Sequence, residues 1–196
     1  MKKTLYLMRH GQTLFNLQHK IQGWCDSPLT ALGQKQAQVA GQYFRDRQIT
    51  FDHAYSSTSE RACDTLEIVT GHSMPYTRLK GLKEWNFGAF EGKDECLNPP
   101  LPYGDFFKQF GGESDVEVQK RLSGTLLKIM QQEEHKNVVA VAHGGACAQF
   151  MLFWLHTSKI PRVRGIGNCA IFIYEFEDDT FTLTEYIKHD FSQLEA

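Results

Sequence analysis

The sequence predicts an α/β fold, a three-layer sandwich whose central sheet is mostly parallel, flanked by helices, with one antiparallel edge. Short apolar runs alternate with amphipathic helical segments along the 196 residues, a pattern typical of such folds. Residues 138–142 (VVAVA) are apolar throughout, as expected of a central parallel strand. Two β-rich runs, 170–176 and 180–186, close the chain around Asp178-Asp179, which predicts an antiparallel pair.

The first strand and helix are predicted within the N-terminal 47 residues. The apolar run 5–8 predicts a buried strand that stops at Arg9-His10-Gly11. Thr30 is suited to cap a helix that runs to about Arg47, because the apolar residues of that segment fall on one helical face.

The second strand and helix come next. Residues 53–56 predict the strand, and a serine within 57–59 is expected to cap the helix, whose inner face would carry Ala62, Leu66 and Val69. Residues 74–112 are irregular, rich in glycine and proline, and give no clear strand or helix pattern. A stretch of this kind in a small domain is usually functional or partly disordered.

The C-terminal half is predicted to add a long helix, the central strand and an apolar helix. Residues 114–117 (SDVE) have capping-box spacing and predict a helix that runs to about Glu134. The strand 138–142 ends at His143-Gly144-Gly145, where the apolar helix begins.

Length and composition favour one domain, residues 1–196, over two small ones. Lys and Arg total 21 and Asp and Glu total 23, so the net charge is −2. This balance gives no general attraction to nucleic acid or to an anionic membrane, and an anion site would have to be built from a few converging cations. The nearly apolar run 144–155 is shorter than the roughly 20 residues that span a bilayer.

A cytoplasmic location is expected. The basic and then apolar N-terminus resembles the start of an export signal, but Arg9-His10 ends the apolar stretch too early. The five cysteines are odd in number and none has C-x-x-C spacing, so free thiols in a reducing compartment are expected rather than disulfides or structural zinc.

Two predicted strands end in the same way, at Arg9-His10-Gly11 and at His143-Gly144-Gly145. Ligands of open α/β sheets collect at the carboxyl ends of strands. Arg61 falls in the first turn of the helix after the second strand, and a helix N-terminus favours anions. Two histidines, two arginines and a helix end that converge on one point predict a phosphate site.

Each of these residues also has a structural interpretation when taken alone. A histidine at a strand end is commonly a hydrogen-bonded structural residue, and Arg61 is suited to a surface ion pair. Glu84 reads as a solvated loop carboxylate, Asn16 as a turn residue and Gly144-Gly145 as a packing device. The combination at matching strand ends favours function.

The ordered motifs resemble those of the histidine phosphatase, or phosphoglycerate mutase-like, superfamily. Arg9-His10-Gly11 with Asn16 is similar to its first signature. The other matching blocks are 28–37 (PLTALGQKQA), 55–62 (YSSTSERA), 82–88 (LKEWNFG) with Glu91-Gly92, and 142–145 (AHGG). The blocks follow the order of the family between residues 5 and 145.

The resemblance implies a role for each residue. His10 would be the nucleophile that forms a phosphohistidine, and Glu84 would protonate the leaving oxygen and then activate water. Arg9 and Arg61 would hold the phosphoryl oxygens bidentately. His143, most usefully when protonated, would be a third catalytic residue, and the phosphate contacts would be completed by Asn16 and Gly144, with Gln22 and Gly23 lining the pocket. No metal or other cofactor is expected, because the arginines would neutralise the phosphate.

The expected activity is hydrolysis of a small phosphorylated metabolite. Position 12 is Gln where many mutase-type members carry Glu, and the segment between Glu84 and Ser114 is short, with no basic cluster beyond Lys93. A phosphoglycerate mutase that uses the same phosphohistidine, or a non-catalytic phosphate-binding regulatory module, are the alternatives. Eight residues are interpreted equally well as pocket entrance or as core: Trp24, Cys25, Trp85, Phe87, Phe90, Tyr103, Phe106 and Phe107.

Overall fold

The computed structural model describes residues 2–194, which contain six strands and five α-helices. The strands are β1 Lys3–Arg9, β2 His53–Ser57, β3 Thr77–Leu79, β4 Asn137–Ala142, β5 Ile171–Glu177 and β6 Thr180–Ile187. The helices are α1 Leu14–Leu17, α2 Ala31–Asp46, α3 Glu60–Val69, α4 Asp115–Met130 and α5 Gly144–Phe153. Short 3₁₀ turns lie at Lys80–Leu82, Gly88–Phe90, Glu95–Leu97, Phe106–Phe110 and Leu155–Thr157.

All six strands join one sheet in the order β3-β2-β4-β1-β5-β6. The four strands from β3 to β1 are parallel to one another. At the other edge of the sheet, β5 pairs antiparallel with β1 and β6 pairs antiparallel with β5. The predicted fold class is therefore confirmed. Arg9 at the end of β1 pairs with Ala142 at the end of β4, so His10 and His143 leave the sheet side by side.

Helices cover both faces of the sheet because alternate residues of β1 point to opposite sides. Leu5 and Leu7 pack with α4 and α5, whereas Tyr6 and Met8 pack with α2 and α3. The helical partners on the two faces include Leu122, Leu126 and Phe150 on one side, and Ala40, Phe44 and Leu66 on the other.

The structure corrects two element predictions. The segment predicted to be irregular contains β3, whose three residues gain strand structure only by pairing with β2 at the sheet edge. The α4 helix begins with the predicted Ser114–Glu117 capping box but ends at Met130, four residues before the expected end. Its apolar stripe stops there, and Lys3 Nζ donates to the Met130 carbonyl at that end.

The later part of the irregular segment, from Trp85 to Phe107, is folded around an apolar cluster that is separate from the two clusters on the sheet. The buried members of this cluster are Ile21, Trp85, Phe87, Phe107 and Val118. Arg121 of α4 holds the backbone of residues 81–84 in place. Its guanidinium donates to the carbonyls of Gly81, Lys83 and Glu84 and to the Glu113 carboxylate. The position of Glu84 therefore depends on this cluster and on α4.

Two features of the composition can be checked directly. The five cysteines are free thiols, as expected. Among residues 2–194, no helix has the length and hydropathy needed to cross a membrane.

Candidate active site

A cavity of about 730 Å³ opens at the carboxyl ends of β1 and β4. Six of the predicted site residues line it, namely Arg9, His10, Asn16, Gln22, Glu84 and Gly144. Arg61 and His143 lie against His10 without reaching the cavity wall: the Arg61 Nε is 3.3 Å from His10 Nε2, and the two imidazole centroids are 5.2 Å apart. Gly23 is placed behind the wall, where its carbonyl accepts from Arg61.

The tautomer of His10 is defined by one backbone contact. Its Nδ1 lies 2.7 Å from the Gly11 carbonyl oxygen, which only accepts, so Nδ1 carries the hydrogen and Nε2 keeps its lone pair. Burial, with Arg61 and Arg9 nearby, lowers the pKa of His10 well below its usual value. The imidazole is therefore neutral at pH 7, which is the state that a nitrogen nucleophile requires.

Arg61 is fully buried and is fastened by the loop at 23–26. Its terminal nitrogens donate to the carbonyls of Gly23 and Cys25 at 2.8 and 2.9 Å and to the Asp26 carboxylate at 2.7 Å. A guanidinium has five N–H donors; Nε–H donates to His10 Nε2 at 3.3 Å, so one terminal N–H is left for a ligand.

One backbone N–H at the helix end that carries Arg61 is occupied by a carboxylate, which the sequence did not indicate. Ser59 occupies the N-cap position of α3 but makes no side-chain capping bond. Instead Asp26 Oδ2 accepts from the Glu60 backbone N–H at 2.6 Å. Residue 26 comes from a distant loop, so local sequence gave no signal for this cap.

Arg9 crosses the start of α5 and reaches the loop before β5. Its Nη1 donates to the Ile166 carbonyl at 2.6 Å, whereas its buried Nε has no partner in the described chain. A Cβ at Gly144 would lie only 3.2 Å from that Nε. Glycine at position 144 therefore allows the guanidinium to pass.

His143 is buried and is bonded to Ser57 at the end of β2, with 2.8 Å between Nε2 and Oγ. Ser57 Oγ also accepts from the Ser59 N–H, and a hydroxyl with two lone pairs and one hydrogen is compatible with either neutral tautomer of His143. Nδ1 has no partner in the described residues. Burial and Arg61 lower the pKa of His143 well below its usual value, so the imidazole is neutral here and not in the protonated form expected from the sequence.

Glu84 caps the N-terminus of α5. Its carboxylate accepts from the backbone N–H groups of Trp85, Gly145 and Ala146 at 2.8, 2.8 and 2.6 Å. A Cβ at Gly145 would come within 2.8 Å of Glu84 Oε1, so glycine is needed at that position. Burial raises the pKa of Glu84, and the three N–H donors and Arg61 only partly oppose it.

Asn16 and Gln22 differ in what they offer a ligand. Asn16 Oδ1 accepts from the Thr13 backbone N–H and from Asn168 Nδ2, which leaves its own amide hydrogens free to donate. The Gln22 amide is used internally, because Oε1 accepts from the Thr13 hydroxyl and Nε2 donates to Ser27. Gln22 therefore lines the cavity with one amide hydrogen left to donate, whereas Asn16 keeps both.

Sequence reasoning missed the residues that hold the site together. Glu91, which was noted only as part of a motif, accepts the backbone N–H groups of residues 23–25 and thereby shapes the loop that grips Arg61. The loop before β5 carries no recognisable pattern, yet it supplies the Ile166 carbonyl, and Arg162 and Arg164 line the cavity. Of the eight ambiguous residues, Trp85, Phe87 and Tyr103 line the cavity.

Comparison with known proteins identifies the family of the chain. The profile of the histidine phosphatase superfamily, branch 1, matches residues 5–188. The chain belongs to this superfamily, and the sequence-based assignment to it, as an enzyme of the phosphatase type, is confirmed.

Relatives within the superfamily include both phosphatases and mutases. An uncharacterized phosphatase, PhoE, of Bacillus subtilis (strain 168) is 35% identical over 187 residues, which is 92% of each chain. A phosphoglycerate mutase structure from Bacillus anthracis superposes with a TM-score of 0.82 at 26% identity, covering 93% of this chain and 92% of the other. A phosphoserine phosphatase from Entamoeba histolytica, solved with 3-phosphoglyceric acid, gives 0.79 at 30% identity, covering 95% and 98%.

Proposed function

We propose that this protein hydrolyses small phosphomonoesters through a phosphohistidine, without a metal ion, and that residues 1–196 act as one cytoplasmic catalytic domain. The observation that carries the proposal is the state of His10. His10 lines the cavity, its Nδ1–H is held by the Gly11 carbonyl, and its Nε2 carries a lone pair that accepts a long hydrogen bond of 3.3 Å from Arg61 Nε, which a bound phosphoryl group would replace. A neutral nitrogen among cations is suited to attack a bound phosphate dianion.

In the first step, His10 Nε2 forms a bond to phosphorus while the bond from phosphorus to the ester oxygen breaks. The electron pair goes to that oxygen, which takes a proton from the Glu84 carboxyl. Donors that stabilise the charge on the equatorial oxygens are the Arg9 guanidinium, the free terminal N–H of Arg61 and the Asn16 amide. The Nδ1 of His143 has no partner in the described residues and, in the tautomer that carries its hydrogen there, is a further donor beside His10.

In the second step, water attacks the phosphohistidine and transfers a proton to the Glu84 carboxylate. The bond between nitrogen and phosphorus breaks, and its electrons return to His10 Nε2. Inorganic phosphate leaves, and both side chains regain their starting protonation states. The raised pKa of Glu84 suits this exchange, because the group has to hold a proton in one step and accept one in the next.

The test is to trap the intermediate. After mixing with ³²P-labelled substrate and quenching in base, we expect label that is stable to alkali and lost in acid, as for a phosphoramidate. His10→Ala should carry no label, whereas the exposed His72→Ala, a matched control, should label like the wild type. Label that persists in His10→Ala would place the nucleophile elsewhere, and absence of label from the wild type with every substrate would favour a non-catalytic phosphate-binding module.

The cavity also favours substrates that carry a second anionic group. Arg162 and Arg164 line it and make no hydrogen bond or ion pair within residues 2–194. This observation keeps phosphoglycerate mutase as the second candidate function, because such an enzyme has to hold a carboxylate as well as a phosphate. A mutase would need a bisphosphoglycerate primer, whereas the hydrolase would release inorganic phosphate without one.

Two substrates with the same three-carbon skeleton test this preference. 3-Phosphoglycerate has a carboxylate where glycerol 3-phosphate has a hydroxymethyl group. Arg162→Gln and Arg164→Gln should each lower kcat/KM for 3-phosphoglycerate by up to about fivefold, the range of an exposed ion pair, and leave glycerol 3-phosphate unchanged. Lys159→Gln removes a cation from the same loop, but one that pairs with Glu175 outside the cavity, and is the control. Equal losses on both substrates would contradict the preference.

A further inference from the structure

A second cluster of chemically active side chains lies at the opposite ends of the same strands. His53 begins β2, and Glu134 and His135 come just before β4. One potential ligand atom from each of the three residues lies within 4.8 Å of the other two, and the imidazole centroids are 3.8 Å apart. None of these residues lines the active-site cavity.

Both imidazoles are oriented in the same way, by an acceptor at Nδ1. His53 Nδ1 lies 3.0 Å from Asp52 Oδ1, and His135 Nδ1 donates to the Ile129 carbonyl. Asp52 is itself fixed, because its Oδ2 accepts from the backbone N–H groups of Lys136 and Asn137. Nδ1 therefore carries the hydrogen in each ring, and each Nε2 keeps a lone pair. Metal-binding histidines are held in this way, through a carboxylate or a carbonyl at the second nitrogen. The Tyr55 hydroxyl lies 3.4 Å from His135 Nε2 and would have to turn away from it when a metal binds.

We propose that His53, Glu134 and His135 bind a divalent transition-metal ion of the Zn²⁺ type. Two imidazole nitrogens and one carboxylate oxygen are a donor set that Zn²⁺ accepts, whereas Mg²⁺ and Ca²⁺ prefer oxygen alone. The ion would connect the first residue of β2 to the turn that enters β4, so its expected effect is on stability rather than on chemistry at His10.

The ligand atoms have to move closer by a small amount. Tetrahedral bonds of about 2.0–2.1 Å place neighbouring ligand atoms roughly 3.4 Å apart. His135 is buried and held by Ile129, but the side chains of Glu134 and His53 are 65% and 34% exposed and can turn toward it. A cavity of about 450 Å³, lined by Glu134, His135 and Tyr55, leaves room for water at a fourth position.

The experiment is a zinc titration of the chelator-treated protein, followed by calorimetry and thermal unfolding. At a free Zn²⁺ concentration about 100 times Kd, the Tm of the wild type should rise by roughly 5–10 °C. His53→Gln and Glu134→Gln alter exposed or half-exposed side chains and should abolish most of this rise. Asp52→Asn keeps all three ligands and should weaken the affinity by about 10–100-fold.

The control is His72→Gln, because His72 lies 3.7 Å from Glu67 but has no second histidine beside it. It should bind Zn²⁺ as the wild type does. Co²⁺ provides a second readout, since tetrahedral coordination by the wild type should give a visible absorption band that His53→Gln lacks. Unchanged zinc affinity in both His53→Gln and Glu134→Gln, or equal loss in His72→Gln, would overturn the proposal.

Discussion

Two helix N-termini meet at the active site, and each is capped by a carboxylate from a distant part of the chain. Asp26 caps α3 through the Glu60 N–H, and Glu84 caps α5 through the N–H groups of Gly145 and Ala146. Both positions benefit from the helix dipole and from unsatisfied N–H groups. The chain thus places its own carboxylates at both helix ends, including the α3 end at which the sequence predicted a phosphate.

The two carboxylates differ in their surroundings. Asp26 has a side chain that is 32% exposed and pairs directly with the Arg61 guanidinium. Glu84 is buried, and its hydrogen-bond partners are backbone N–H groups, so desolvation prevails and raises its pKa. The same capping geometry therefore serves two purposes. At α3 Asp26 positions the Arg61 guanidinium, and at α5 Glu84 has the raised pKa of a group suited to hold a proton. What separates them is access to water and to a neighbouring positive charge.

The largest expected effect is the loss of acid catalysis at α5. Glu84→Gln should slow formation of the phosphohistidine from alkyl phosphates by about 10²–10⁴-fold, because an alkoxide leaves poorly without a proton. p-Nitrophenyl phosphate should be affected far less, since its leaving group needs no acid. Single-turnover burst measurements are required, because Glu84 also acts in the hydrolysis step. Equal losses on the two substrates would make Glu84 a structural carboxylate and leave His143 as the acid.

A smaller loss of phosphoryl-transfer rate is expected when the Glu84 carboxylate is displaced but not removed. A methyl group at Gly145→Ala would stand 2.8 Å from Glu84 Oε1 and push the carboxylate away. A displacement of about 1 Å should cost on the order of 10²-fold in the burst rate with alkyl phosphates. The matched control is Gly124→Ala in α4, where an added Cβ meets nothing within 4 Å. It should keep full activity and gain about 0.5–1 kcal/mol in stability; wild-type burst kinetics in Gly145→Ala would show that the carboxylate position is not critical.

Removal of the Asp26 cap at α3 should lower the activity by a factor that does not depend on the leaving group. Asp26→Asn removes the charge that holds Arg61 but keeps the size of the side chain. We expect kcat/KM to fall about tenfold, in line with the 1.5–3 kcal/mol of a hydrogen bond between charged groups. The fall should be equal for alkyl and aryl phosphates, because Arg61 would contact the phosphoryl group common to both. A loss confined to alkyl phosphates would assign acid catalysis to this carboxylate instead.

The smallest effect concerns the pH dependence of stability. His10 and His143 have pKa values lowered well below about 6.5, so the folded state resists their protonation. Stability should be complete above pH 6.5 and fall as the pH drops below it, by up to about 1.4 kcal/mol per pH unit for each histidine. Glu84 acts in the opposite sense: its raised pKa stabilises the fold at pH values below its unfolded pKa, and this contribution is lost as the pH rises through the raised value.

Urea unfolding between pH 5 and 8 measures this dependence. His143→Gln should show about half the acid loss of the wild type over that range, since one of the two histidines no longer takes up a proton on unfolding. Glu84→Gln should instead leave the decline between pH 6.5 and 5 at least as steep as in the wild type, because it removes a group whose protonation in the folded state opposes that decline. An acid slope in His143→Gln identical to that of the wild type would contradict the lowered pKa of the imidazole.

Local pattern was sufficient to predict the strands on either side of the catalytic edge and the helices that follow them. An uninterrupted apolar run such as 138–142 is stable only between two layers, and a capping box at Ser114 satisfies backbone groups within four residues. The apolar runs 5–8 and 138–142 also predicted where β1 and β4 end. Arg9, His10 and His143 could therefore be assigned to one site from the sequence. These predictions needed interactions only between residues close in sequence.

The tertiary structure alone decided the capping partners, the protonation states and the far wall of the cavity. Asp26 meets α3, Glu91 closes the loop at 23–25, and Arg162 and Arg164 enter the cavity through contacts between segments far apart in the chain. The strand β3 formed only because β2 offered an unpaired edge. The pKa of a histidine or a glutamate depends on burial and on nearby charges, which exist only after the chain has folded, so neither the neutral His143 nor the proton affinity of Glu84 was readable from the sequence.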